Sequence, residues 1–158
     1  MSGRESLSES DIKDIALFFF FTMLDEKRAI LAAAQTYEQC SKKIERDSSL
    51  SIGETIVSSS YKIWNQHKAK LIRGRPQYSL SSGWNLPSGI DIGVWKDFQK
   101  NATEEDLLAL VWSKILNISD IEIAHGLGLT IGTVRYRVSH AVRKLNAFQL
   151  SQIAVSPE

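Results

Sequence analysis

Arg135, Tyr136, Arg137, Ser139, His140, Arg143 and Lys144 crowd into one short stretch near the end of a 158-residue chain. Side chains of these types grip nucleic acid. An Arg guanidinium matches the two acceptors of guanine, Tyr, Ser and His offer single hydrogen bonds, and Lys meets phosphate as a point charge. Just upstream, the hydroxyls of Thr130 and Thr133, together with the first backbone N–H groups of a helix, suit phosphate oxygens. Gly132 has no side chain and lets a DNA backbone come close. Ile131 is the apolar member of this DNA-binding set.

These groups need a helix to present them. At 100° per residue, Val134, Val138, Ala141 and Leu145 form one narrow apolar stripe. Gly132, Tyr136, Ser139, His140 and Arg143 lie opposite, with Arg135 and Arg137 on the flanks. The stripe must pack on something, and the preceding residues supply it. Ser119 can cap a helix from Asp120 to about Leu127, and Gly128 fits the left-handed turn. Leu129 re-enters the core, and Thr130 caps the last helix, which reaches Leu145 or beyond. Ala124 stands where the two helices cross, and Ile123, Leu127, Leu129, Val134 and Val138 lock them. This is helix-turn-helix spacing. His140 reads as a phosphate contact or as an inert surface residue.

Lys plus Arg is 19 and Asp plus Glu is 18, so the chain as a whole is nearly neutral. The charges are segregated. Ile123 to Pro157 contains no acid, while Arg135, Arg137, Arg143 and Lys144 give +4. Asn101 to Glu122 holds five acids against Lys114 alone. The basic end suits phosphate. The acidic, Leu-rich start suits a protein, with Glu104, Glu105 and Leu108 as partner-binding candidates.

Several classes are excluded on the same grounds. His67, His125 and His140 are isolated from the single cysteine, Cys40, and from any paired acids, so no metal site is expected. No GxSxG, P-loop or HExxH pattern occurs, so neither an enzyme nor a cofactor is expected. The apolar run Ala16 to Phe21 is far short of the ~20 residues a membrane span needs. Glu5, Glu9, Asp11 and Asp14 precede it, unlike a signal peptide. A cytoplasmic protein without a membrane partner is expected.

The expected fold class is all-α, with two small helical domains joined by a linker. Residues 1–73 form the N-terminal domain. Its first helix starts near Ser8 and is apolar all round, for a core or for a partner. The second runs from Asp25 through Ile44. The third starts at a possible Ser51–Glu54 capping box and reaches about Ile72. Residues 74–101 read as a linker, because Pro76, Gly83, Pro87, Gly89 and Gly93 break helices. Its Trp84, Trp95 and Phe98 are too apolar for a free tether, so the linker should lie on a surface, the protein's own or a partner's. Residues 102–150 carry the helix-turn-helix, starting with a helix capped by Thr103, and 151–158 form a tail.

Ile118 to Ala141 resembles the C-terminal promoter-reading domain of sigma-70 family factors, most of all the small extracytoplasmic-function group. That family favours Leu-Ser-x-x-Glu-Ile-Ala, a Leu-Gly turn and Gly-Thr-Val-Lys-x-Arg-Leu. Here Ile118-Ser119-Asp120-Ile121-Glu122-Ile123-Ala124, Leu127-Gly128, Gly132-Thr133-Val134-Arg135 and Arg137-Val138 stand in those places. The likeness covers Thr103 to Leu145. Ala102-Thr103 replaces a usual Leu-Pro, Leu107 a usual Arg, and Ile131 a polar or acidic residue. The resemblance implies promoter DNA and RNA polymerase core as partners, with an anti-sigma factor as a third. It also implies that the acidic start holds the polymerase flap. Asp25 to Tyr37 is faintly similar to a helix of the family's first domain. The aromatic and basic stretch Tyr61 to Arg75 suits promoter DNA or a solvated face.

Two other readings compete. One is a stand-alone regulator similar to the quorum-sensing response-regulator type, which shares Thr133-Val134-Arg135 and Lys144-Leu145. The other is an interaction protein, a sigma mimic that occupies polymerase or an anti-sigma factor without initiating.

Overall fold

The computed structural model describes the backbone of residues 7–70 and 91–155, with side chains as far as Ser151. Within those residues the chain is all-α, with seven α-helices and no strand. Helix α1 is Glu9–Met23, α2 Glu26–Arg46, α3 Ile52–His67, α4 Ile92–Asn101, α5 Glu104–Leu110, α6 Asp120–Leu127 and α7 Ile131–Val155. A 3-10 turn, Lys68–Lys70, follows α3, and a π-helical turn, Val111–Ile115, continues α5.

Local chemistry sets most helix starts. Ser8 Oγ accepts the Asp11 N–H, and the Asp11 carboxylate accepts the Ser8 N–H, a complete capping box. Asp25 caps α2 by accepting the Arg28 N–H, and Thr103 caps α5 by accepting the Asp106 N–H, each without the reciprocal bond. Ser51 caps α3 by accepting from the Glu54 N–H. The reciprocal carboxylate is not Glu54, however. Ser51 donates instead to Glu122 of α6, at 3.0 Å. The third helix ends as an α-helix at His67, and Leu71 and Ile72 lie outside the described residues.

From Ile15 to Met23, α1 is core on nearly every side, while its first turns are largely exposed. Phe18, Phe19 and Phe21 are fully buried, and Phe20 nearly so. Phe18 stacks on Trp112 of the π-helical turn, rings 5.2 Å apart and 9° from parallel. The Trp112 indole N–H donates to Ser60 Oγ of α3 at 3.0 Å. A buried tryptophan keeps its N–H partnered in this way.

Two expectations about organisation are corrected. The linker expected over 74–101 contains a helix at 92–101. Asp91 Oδ1 accepts from the Gly93 and Val94 N–H groups and starts it. Val94, Trp95 and Phe98 then form one buried face. The Trp95 indole N–H donates to the Phe21 carbonyl at 2.9 Å, and the Gln99 amide donates to Thr22. Burying two large rings outweighs the helix-weakening Gly93. Most of the expected linker, with Trp84, lies outside the described residues.

The second correction concerns the two domains. One hydrophobic cluster receives side chains from all seven helices, including Ala29 and Cys40 of α2, Trp95 of α4, Ile123 of α6 and Val138 of α7. The former 1–73 and 102–150 units share it. The expected tail is corrected as well, since α7 continues through 151–155. No helix among the described residues is long and apolar enough to cross a membrane.

Candidate nucleic-acid interface

The site is built on α6, the turn 128–130 and α7. Ser119 Oγ accepts the Glu122 N–H at 3.2 Å and starts α6. Gly128 ends it with φ 69°, a left-handed conformation that side chains disfavour. The Leu129 N–H closes the turn on the Ala124 carbonyl at 2.9 Å. Thr130 Oγ1 accepts the Thr133 N–H at 3.1 Å and starts α7. Ala124 is buried at the crossing, and Val134, Val138 and Ala141 are the buried stripe of α7.

The opposite face of α7 is open. Gly132, Arg135, Tyr136, Ser139 and Arg143 are exposed and fall on one side of the helix, with Thr130 exposed at its start. Ile131, Thr133, Arg137, His140 and Lys144 are half-buried. The candidate residues therefore form an exposed centre and a flank, rather than one uniform surface.

Several of these side chains are already engaged. Arg135 Nε donates to Asp120 at the start of α6, at 3.2 Å. Tyr136 stacks on His140, rings 6.0 Å apart and 11° from parallel. His140 Nδ1 hydrogen-bonds Asp106, a buried carboxylate of α5. Lys144 Nζ donates to the Asn101 carbonyl at the end of α4, at 3.0 Å. His140 and Lys144 thus tie α7 to α5 and α4. Of the two readings of His140, phosphate contact and inert surface residue, neither included this internal partner.

The acidic partner surface is also corrected. Leu108 is 3% exposed, because α5 turns it into the core. Glu104 accepts from the Trp64 indole N–H at 2.7 Å and from Lys68 Nζ at 3.1 Å, so it links α5 to α3. Glu105 alone of the three is exposed.

Three features went unread in the sequence. Asp106 looked like one more dipole-favoured acid. Glu122 looked like the last acid of the acidic stretch, yet its carboxylate lies against Ser51 and Gly53 of α3. Gly126 sits inside α6 with no turn to make. Its signal was available, since an isolated glycine within a helical pattern usually marks a close approach. Among the described residues, no group of three or more His, Cys, Asp or Glu gathers as metal ligands would.

No family model, no curated protein and no solved structure matches this chain.

Proposed function

We propose that the protein is a DNA-binding transcription factor that reads duplex DNA with the first turns of α7, and that it is a binding protein rather than an enzyme. The observation that carries this reading is the exposed, acid-free face of Gly132, Arg135, Tyr136, Ser139 and Arg143 behind a glycine turn and a threonine cap. A helix seated this way can enter the major groove, with Thr130 and the first N–H groups of α7 against phosphate. Arg135 and Tyr136 then reach base edges, and Arg143 meets the backbone further along. Such a protein acts in the cytoplasm, where bacterial DNA lies.

Within this class, the resemblance of Ile118 to Ala141 favours a sigma-type factor. It would bind RNA polymerase core and the upstream promoter element, with an anti-sigma factor as a possible regulator. A second reading has its own support. Leu108 is buried and Glu104 is held by Trp64 and Lys68, so little of the acidic start is left for polymerase. That favours a stand-alone regulator.

Selection of bound duplexes from a random pool, followed by core-polymerase pull-down and transcription from the selected sequence, tests both. A sigma-type factor selects a sequence, binds core and initiates. A regulator selects a sequence but does not bind core by itself, and a sigma mimic binds core without initiating. Failure to retain any duplex, at low salt as well as at physiological salt, rejects the DNA-binding reading.

A further inference from the structure

Helix α2 has an outer face that the other described helices do not cover. Ala29, Ala32, Thr36, Cys40 and Ile44 are its buried side. On the opposite side Ile30 is 62% exposed, Leu31 52% and Tyr37 41%, and Ala34 between them is exposed too. At 100° per residue all three large side chains fall within about 60° of Ala34. The other large exposed apolar side chains among the described residues are Ile12, Ile121, Tyr136 and Leu150, each on a different helix from this group. Scattered residues of that kind are ordinary, but a cluster over two turns of one helix marks an interface.

We propose that this face binds a second copy of the chain, with the two α2 helices antiparallel about a two-fold axis at Ala34. The face is complementary to itself in that arrangement. Ile30 and Tyr37 lie on the same edge of the face, four and three residues from Ala34, so Ile30 of one copy meets Tyr37 of the other at nearly the same height. Ala34 is small and lets the two backbones approach. Charge selects the direction. Lys27 is exposed at one end of the face, and Glu38 and Glu45 are exposed at the other. An antiparallel pair sets Lys27 of each copy beside the acidic end of its mate, whereas a parallel pair sets like on like. Lys42, at the edge, is already paired with Glu38 at 3.1 Å. Four apolar side chains per copy make a small interface, so the dimer is weak and forms at tens of micromolar or above.

Sedimentation of the full chain over about 1–200 µM tests this, in the range where a weak interface is half occupied. The mass should rise with concentration toward twice the 17.7 kDa of the chain. Leu31→Asp places a carboxylate in the interface and should weaken association about 100-fold or more. Its circular dichroism should match the parent, because Leu31 is outside the core. Ala34→Cys should give an interchain disulfide under mild oxidation, since the two-fold axis brings the introduced thiols together. The parent, whose sole thiol at Cys40 is buried, should not. A chain that stays monomeric at 200 µM overturns the proposal and leaves the face to a different protein. A dimer that Leu31→Asp and Tyr37→Asp both leave intact also overturns it, by placing the contact elsewhere.

Discussion

Gly126 of α6 rests directly on Val57 of α3. A Cβ at Gly126 would lie 2.8 Å from the Val57 Cβ and 2.9 Å from the Glu54 carbonyl oxygen. Both are well inside contact distance, and the carbonyl belongs to a helix backbone that cannot step aside. The α6–turn–α7 unit is therefore seated on the N-terminal half through a position where only hydrogen fits.

Gly126→Ala should destabilise the protein. In a free helix the change would gain about 1 kcal/mol. Here the overlap outweighs it, and a net loss of about 1–3 kcal/mol is expected from overpacking. Urea unfolding measures this. A midpoint equal to or above the parent's would show that α6 does not sit on α3 this closely.

Gly128→Ala should also destabilise, by a different route. A Cβ there would meet nothing within 4 Å, but the φ of 69° is left-handed. The strain alone is about 1–2 kcal/mol. Asn tolerates this conformation better, so Gly128→Asn should recover part of the loss. Equal losses for Ala and Asn would argue against a backbone cause.

The face of α7 should separate into reading and tying residues. Arg135→Ala should weaken DNA binding by about 1–3 kcal/mol if the guanidinium reaches a base. Asp120→Asn removes the carboxylate that holds Arg135 at 3.2 Å, and should raise affinity a few-fold. Arg143→Ala should flatten the salt dependence, because fewer counterions are released. Lys144→Ala should act chiefly on stability, since its ammonium is bound to the Asn101 carbonyl. Affinity and salt slope from titrations at several ionic strengths distinguish these outcomes.

Acid should weaken the fold through His67. It is buried, its Nε2 is within 2.7 Å of Gln35 Oε1, and its Nδ1 has no hydrogen-bond partner. Burial holds its pKa below the ordinary 6.5, and the nearby Arg28 and Lys70 add repulsion. The unfolded chain therefore takes up a proton first as pH falls below 6.5. The stability associated with neutral His67 is full above 6.5 and is lost as pH drops toward the folded-state value. His67→Gln should reduce this slope. A comparison of urea midpoints at pH 7.5 and 5.5, parent against variant, gives the answer. Parallel pH dependences would clear His67 of the role.

The sigma-type reading is best probed at Glu105. Its side chain is exposed, so Glu105→Lys leaves the fold intact while reversing charge on the surface expected to face polymerase. Core-polymerase affinity should drop several-fold. Glu104→Lys is a poor probe, because it would break the bonds to Trp64 and Lys68. An unaltered core affinity for Glu105→Lys would remove the acidic surface from the sigma-type reading.

Much of the fold was legible wherever local chemistry decides it. Ser8, Asp25, Thr103 and Ser119 each start a helix because a short polar side chain satisfies the first N–H groups, which needs no distant partner. Gly128 was legible for the same reason. Helix α4 was obscured by the Pro- and Gly-rich residues before it, although Asp91, Val94, Trp95 and Phe98 carried its cap and buried face. The shared core was not legible. Phe18 and Trp112 stack across most of the chain, and only tertiary packing brings them together. The ties at the candidate site were hidden likewise, since an Asp106 that bonds His140 looks in sequence like any acid in a first helical turn.

The central placement of α1 has a consequence for how the protein is born. Two of its four consecutive phenylalanines, Phe18 and Phe21, pack on partners that are made much later in the chain. The Trp95 indole that bonds Phe21 follows it by 74 residues, and Trp112 comes later still. At about 5–20 residues per second, the phenylalanines wait several seconds for cover. Helices α2 and α3 can cover part of α1 early, but Phe18 and Phe21 stay without Trp112 and Trp95 until the π-helical turn and α4 emerge. Emergence of α4 and the π-helical turn completes the cover over these rings.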